Sequence, residues 1–145
     1  MQLNLPEADL RLRGNGTTRE IFDPLRHKWV HLTPEEWVRQ HFTAYLAGVK
    51  GVPPSRMANE IAITLNGTTK RCDTVIYSPG LEPVAIVEYK APTVAITRGV
   101  FEQIARYNLV LGTRYLIISN GISHYCIGSG RLIDHIPDYR EMTGE

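Results

Sequence analysis

The sequence predicts an α/β fold: helices sandwiching a central mixed sheet, preceded by a short β-rich segment. Three observations carry this expectation. Two stretches have helical apolar spacing, one starting at Thr33 and one near Thr97. Between them lie three strand-like runs, broken by the turn residues Asn66-Gly67 and Ser78-Pro79-Gly80. A further apolar run, Tyr115 to Ser119, follows the second helix. The order is therefore helix, three strands, helix, strand.

The chain opens with short alternating runs, Leu10 to Arg13 and Lys28 to Leu32, with a Gly14-Asn15-Gly16 turn and Ile21-Phe22 between them. Residues 1–32 are expected to form this β-rich lead-in and 33–145 the core of one domain.

Thr33-Pro34-Glu35-Glu36 is a helix start. Thr33 serves as N-cap, Pro34 takes the first helical position, and Glu36 completes a capping box. Val38, Phe42, Tyr45, Leu46 and Val49 then recur at helical spacing, and the helix should stop near Gly48 to Gly51. Met57 to Leu65 leads into Asn66-Gly67, a favoured hairpin turn. Lys70 to Tyr77 and Pro83 to Tyr89 are the next two strands. In the latter, Val84-Ala85-Ile86-Val87 reads as buried on both faces. The second helix, about Thr97 to Leu111, ends at Gly112, where a C-cap glycine belongs. Tyr115 to Ser119 returns beside the third strand through a crossover, expected to be right-handed. Asn120-Gly121 then turns into His124 to Ile127, an antiparallel edge.

Composition narrows the function classes. Lys plus Arg is 16 and Asp plus Glu is 15, a net charge of +1 that neither demands nor excludes a nucleic-acid partner. Cys72 and Cys126 form no CxxC pair and imply no disulfide framework. The first residues carry no apolar signal-peptide region, and no apolar run approaches a membrane span, so a cytoplasmic location is the default expectation. P-loop, GxGxxG, GxSxG and HExxH motifs are absent. The five histidines show no metal-ligand spacing, and Trp29, Trp37 and Tyr45 read as packing residues.

What remains is a set of charged residues at strand ends. Glu88 and Lys90 are two apart, so they share a strand face, roughly 6.5 Å apart, with Val84 and Ile86. On the preceding strand, alternation groups Arg71, Asp73, Val75 and Tyr77 against Cys72, Thr74 and Ile76. If the two strands pair, Asp73 lies beside Glu88. Adjacent carboxylates repel, and a divalent cation relieves that repulsion. Mg²⁺ takes one or two protein carboxylates, keeps several waters, and uses a substrate phosphate for the rest. A lysine on the same face stabilises the charge that develops at phosphorus. Asp, Glu and Lys at this spacing therefore suit phosphodiester hydrolysis. Glu35, placed by the helical wheel on the side of Val38 and Phe42, is a candidate fourth member.

Asp73, fourteen intervening residues and Glu88-Tyr89-Lys90 resemble the PD-(D/E)xK nuclease superfamily. Gln103-Ile104-Ala105-Arg106-Tyr107 resembles the QxxxY motif of its RecB-like branch. From TPEEWVRQHF through VEYKAP and FEQIARYN to LIISNG, roughly residues 30 to 130, the chain resembles the N-terminal nuclease domain of type I restriction endonuclease motor subunits. The resemblance implies a restriction-endonuclease-like α/β/α sandwich. It implies catalytic Asp73, Glu88 and Lys90, with Gln103 in the site and Glu35 and Tyr107 accessory. It also implies Mg²⁺, or Mn²⁺ as substitute, held by Asp73 and Glu88, and a DNA substrate. A separate motor or specificity subunit is an expected partner. Lys70, Arg71, Arg98 and Arg106 are candidate phosphate contacts. Cys72 stands where the motif has proline, and no motor signature accompanies the domain. The second reading is a non-catalytic nucleic-acid or protein interaction module on the same fold. The third is RNA cleavage or repair-type processing.

Overall fold

The structure, a computed structural model, describes residues 2–15 and 17–144. Gly16 of the expected first turn lies outside the described residues, as do Met1 and Glu145. The lead-in is a three-stranded antiparallel sheet, β1 (Leu12–Asn15), β2 (Thr18–Asp23) and β3 (Lys28–His31). The sequence pointed to two strands. Ile21 and Phe22 instead lie in the middle strand, pairing with Leu12 on one side and with Val30 and Trp29 on the other. An alternating segment flanked by two partners needs no turn signal of its own.

Helix α1 (Pro34–Gly48) begins as expected, with the Thr33 hydroxyl accepting from the Glu36 amide. After one 3-10 turn at Pro54–Arg56, the strands β4 (Met57–Leu65), β5 (Thr68–Tyr77) and β6 (Pro83–Tyr89) form an antiparallel meander. Helix α2 (Arg98–Leu109) carries the chain over to β7 (Tyr115–Ser119), which runs parallel to β6. The crossover places a helix over a central strand covered on both faces. Ala85 and Val87 accordingly pack toward α1 with Phe42, while Ile86 packs toward α2 with Ala105 and Leu111. Burying a side chain such as Phe42 stabilises the fold by about 1.5–3 kcal/mol.

The sheet does not end at β8 (His124–Gly128), as the sequence indicated. Strand β9 (Arg131–Ile133) pairs with it and forms the edge. Ser129 and Gly130 make the connection, both at positive φ (52° and 77°), the geometry of a two-residue hairpin turn. Helix α3 (Tyr139–Thr143) then buries Met142 in the α1-side core. The six-stranded order is β4-β5-β6-β7-β8-β9, giving an α/β sandwich with two cores, one on each face of a mixed sheet. No helix among the described residues is long and apolar enough to cross a membrane.

One irregularity bears on function. Cys72 packs with Val75 on the α2 side, whereas Thr74 bonds Asn59 and Ile76 packs on the α1 side. The face alternation therefore slips by one near Asp73. Glu60, facing this point from β4, sits at φ 53°, a conformation no regular strand contains. Cys72 is in the core but on the same side as Val75, and Arg71 does not share the face of Asp73. Val84 also departs from the expected face of Ile86. It packs against the α1-side core, beyond a register shift between Ile76 and Tyr77.

Candidate active site

The carboxyl end of β6 is held on both sides. Thr74 of β5 pairs with Val87, and just beyond this pair the Asp73 carboxylate lies beside that of Glu88. The Tyr89 amide donates to Asp73 Oδ2 at 2.9 Å. Lys90, just past the strand, still donates its amide to the Ser119 carbonyl of β7 at 2.9 Å. The segment Glu88-Tyr89-Lys90 is thus fixed by neighbouring strands, and Ala91-Pro92 ends it. Tyr89 points away from the cleft into the α1-side core, its hydroxyl donating to Thr74 Oγ1 at 2.9 Å.

Over this strand end lies a cleft of about 540 Å³, closed on the far side by α2. Asp73, Glu88, Lys90, Gln103 and Tyr107 all line it. The spacing of Gln103 and Tyr107, one helical turn apart, turns both toward the same opening. Gln103 is exposed, and the Tyr107 ring is 67% exposed. Asn108, also lining the cleft, is buried, and its Oδ1 has no hydrogen-bond partner among the described residues.

Burial and the neighbouring Asp73 carboxylate push the Glu88 carboxyl up to about 7, against the opposing pull of Lys70. That ammonium lies 2.9 Å from Glu88 Oε1. Lys70 was grouped in the sequence with generic phosphate contacts, yet it is the cleft's paired cation. The slip in alternation explains the exchange: Lys70 lines the cleft and pairs with Glu88, while the exposed Arg71 pairs with Glu60. Lys90 makes no ion pair among the described residues.

Glu35 is not brought to the cleft. It is exposed, whereas Glu36 is buried. Helical side chains lean toward the N-terminus, so Glu35 at the second helical position leans off the end of α1. Glu36 is not the return half of a capping box either. Its carboxylate accepts from Arg26 (2.7 Å), Arg39 (2.9 and 3.0 Å) and Gln40 (3.0 Å). Arg39 in turn donates to Glu60 and to the backbone carbonyl of Asp73. Sequence reasoning missed this network. Its signal was Arg39-Gln40 lying inside the apolar stripe beside Val38 and Phe42. Arg98 and Arg106 are exposed on α2, with Arg98 paired to Glu102.

Asp73 and Glu88 offer two carboxylates, and among the described residues no group of three His, Cys, Asp or Glu is placed to hold a metal. Two carboxylates beside an open cleft fit an ion that keeps water and binds substrate phosphate. They do not fit a closed four-ligand structural site.

The sheet and its flanking helices define a restriction-enzyme-like α/β domain. The chain belongs to the family described as Type I restriction enzyme R protein N terminus (HSDR_N), which matches residues 34–137. Its fold is similar to part of a chain in the cryo-EM structure of the DrdV–DNA complex, with a TM-score of 0.52 at 16% identity. That likeness covers 76% of this chain and 11% of the other, so this chain spans about a tenth of that relative. No curated protein matches it.

Proposed function

We propose that this domain is a divalent-metal-dependent DNA endonuclease of the PD-(D/E)xK type. The observation that carries the reading is the convergence of Asp73, Glu88, Lys90 and Gln103 on one cleft at the end of a buried strand. Asp73 and Glu88 would hold the ion, Mg²⁺ or Mn²⁺. When bound, it polarises a phosphoryl oxygen and lowers the pKa of a bound water. Lys90, free of ion-pair partners among the described residues, stabilises negative charge at phosphorus. Gln103, at the cleft mouth, hydrogen-bonds the incoming water or phosphate. DNA as substrate is supported by the family and by the DNA-bound relative of the same fold. A separate motor or specificity subunit is the partner that the resemblance to type I restriction motor subunits implies.

The test is cleavage of plasmid DNA in Mg²⁺ by wild type, Asp73→Ala and Lys90→Ala. The reading expects nicking or linearisation by wild type and a loss of about 10²-fold or more in each variant. Equal cleavage by all three proteins would sink it.

A further inference from the structure

The two cleft lysines are differently placed. Lys90 has no ion-pair partner among the described residues, but Lys70 is committed. Its ammonium lies 2.9 Å from Glu88 Oε1, 3.1 Å from the Arg71 carbonyl and 5.0 Å from the centroid of the Tyr107 ring. Its side chain is 10% exposed and that of Glu88 15%. The backbone of Lys70 is fixed by pairing with Ile63.

We propose that Lys70 competes with the divalent metal for Glu88, and that the Tyr107 ring receives its ammonium when the metal takes the carboxylate. The proposal rests on the metal-dependent reading above and deepens it.

Asp73 and Glu88 together carry two negative charges when ionised, and Lys70 neutralises one of them. A doubly charged ion on the same Glu88 oxygen would stand within a few ångströms of the ammonium. Two cations at that distance in a half-buried cleft repel strongly. Either the metal is excluded or the lysine yields. Lysine is suited to yielding, because its charge is a compact point on a flexible four-carbon stem. The ammonium can swing away while its backbone stays in the sheet.

The destination is already beside it. Tyr107 presents an aromatic ring within the distance at which a cation is attracted to the ring face. The Arg71 carbonyl already accepts from the ammonium. On giving up the carboxylate, the ammonium therefore keeps a ring and a carbonyl rather than being left with nothing. This gives Tyr107 a job distinct from that of Gln103, its neighbour one turn away. It also makes Lys70 a positioning residue: it holds Glu88 in the cleft and sets how much metal is needed to load it.

The experiment is calorimetric titration of the full chain with Mn²⁺ alone, without DNA. Lys70→Met is expected to bind Mn²⁺ roughly fivefold more tightly than wild type or better, since fivefold is the upper range for exposed pairs and this pair is largely buried. Lys70→Gln should behave likewise, and Lys70→Arg, which keeps the charge, should stay near wild type. Tyr107→Leu should weaken binding in the wild-type background and have no effect in Lys70→Met, since the ring matters only while there is an ammonium to receive. If Lys70→Met and Lys70→Gln bind Mn²⁺ no better than wild type, while Asp73→Asn still abolishes binding, the competition is overturned and the metal reading stands. If wild type shows no Asp73-dependent Mn²⁺ binding, the metal reading falls and takes this proposal with it.

Discussion

Arg39 donates a 2.7 Å hydrogen bond to the backbone carbonyl of Asp73. A helix side chain thereby holds the strand at the place where its face alternation slips. A slipped strand has a carbonyl that the regular ladder does not serve, and a buried carbonyl needs a donor. Arg39 supplies it, and its remaining donors go to Glu36 and Glu60.

Replacing Arg39 with methionine keeps the bulk and removes every donor. Glu36 would then rely on Arg26 and Gln40, and the Asp73 carbonyl would lose this partner. Breaking one side of a buried ion network costs about 3–5 kcal/mol. Urea denaturation should show a loss of that size for Arg39→Met, with Arg39→Lys intermediate because it keeps charge without the fork. A loss below about 1 kcal/mol, the scale of surface pairs, would show that the network is peripheral.

That network marks the limit of what was legible in the sequence. Regular elements were readable because they repeat: Thr33-Pro34 started α1, Asn66-Gly67 joined β4 to β5, and the apolar run at Val84 found the central strand. Asp73, Glu88 and Lys90 were readable because spacing and strand order bring them together. Lys70 and Arg71 were not, since alternation counts residues and cannot see a slip within the strand. Glu35 and Glu36 were exchanged for a similar reason. A helical wheel gives an angle, but not how far the sheet extends beneath the first turn, nor that Arg26 arrives from the lead-in.

The pH dependence of stability should have two limbs in metal-free buffer. Burial alone would raise Asp23 and Glu36, but hydrogen bonds from Asn59 and Arg26 to the first, and from Arg39 and Arg26 to the second, hold both below their ordinary values of 3.8 and 4.5. Lowered carboxyls stabilise the fold above their unfolded values and lose that contribution as pH falls through the folded ones. Glu88 works the other way: raised from 4.5 to about 7, its contribution is present below 4.5 and lost as pH rises through 7. Stability should therefore peak near about pH 5. In Glu88→Gln the alkaline decline should shrink, so its melting temperature gains on wild type between pH 5 and 8. A constant difference across that range would contradict the raised Glu88.

The neighbours Glu35 and Glu36 should behave as opposites. Glu36→Gln removes a buried carboxylate from between two guanidinium groups and should cost about 3 kcal/mol or more. Glu35→Ala removes an exposed carboxylate whose remaining benefit is the helix N-terminus, worth under about 1 kcal/mol. DNA cleavage by Glu35→Ala should match wild type. A hundredfold drop in cleavage by a stably folded Glu35→Ala would restore it to the site.

DNA contact can be tested apart from chemistry. With a net charge of +1 the chain offers no broad electrostatic pull, so binding depends on where its cations sit. Arg106 is exposed on α2, lining a shallow groove with Lys70, Gln103 and Tyr107 beside the cleft. Arg98 lies at the start of the same helix, 93% exposed and paired with Glu102 one turn on. A phosphate contact contributes counterion release, which appears as a slope in log affinity against log salt. Arg106→Ala should weaken binding to unrelated DNA sequences alike and reduce that slope by about 0.9. Arg98→Ala should reduce it less, because Glu102 already satisfies part of that charge. Fluorescence anisotropy across a salt series, in Ca²⁺ to prevent turnover, reads both variants. An unchanged slope for Arg106→Ala would place the DNA path away from α2.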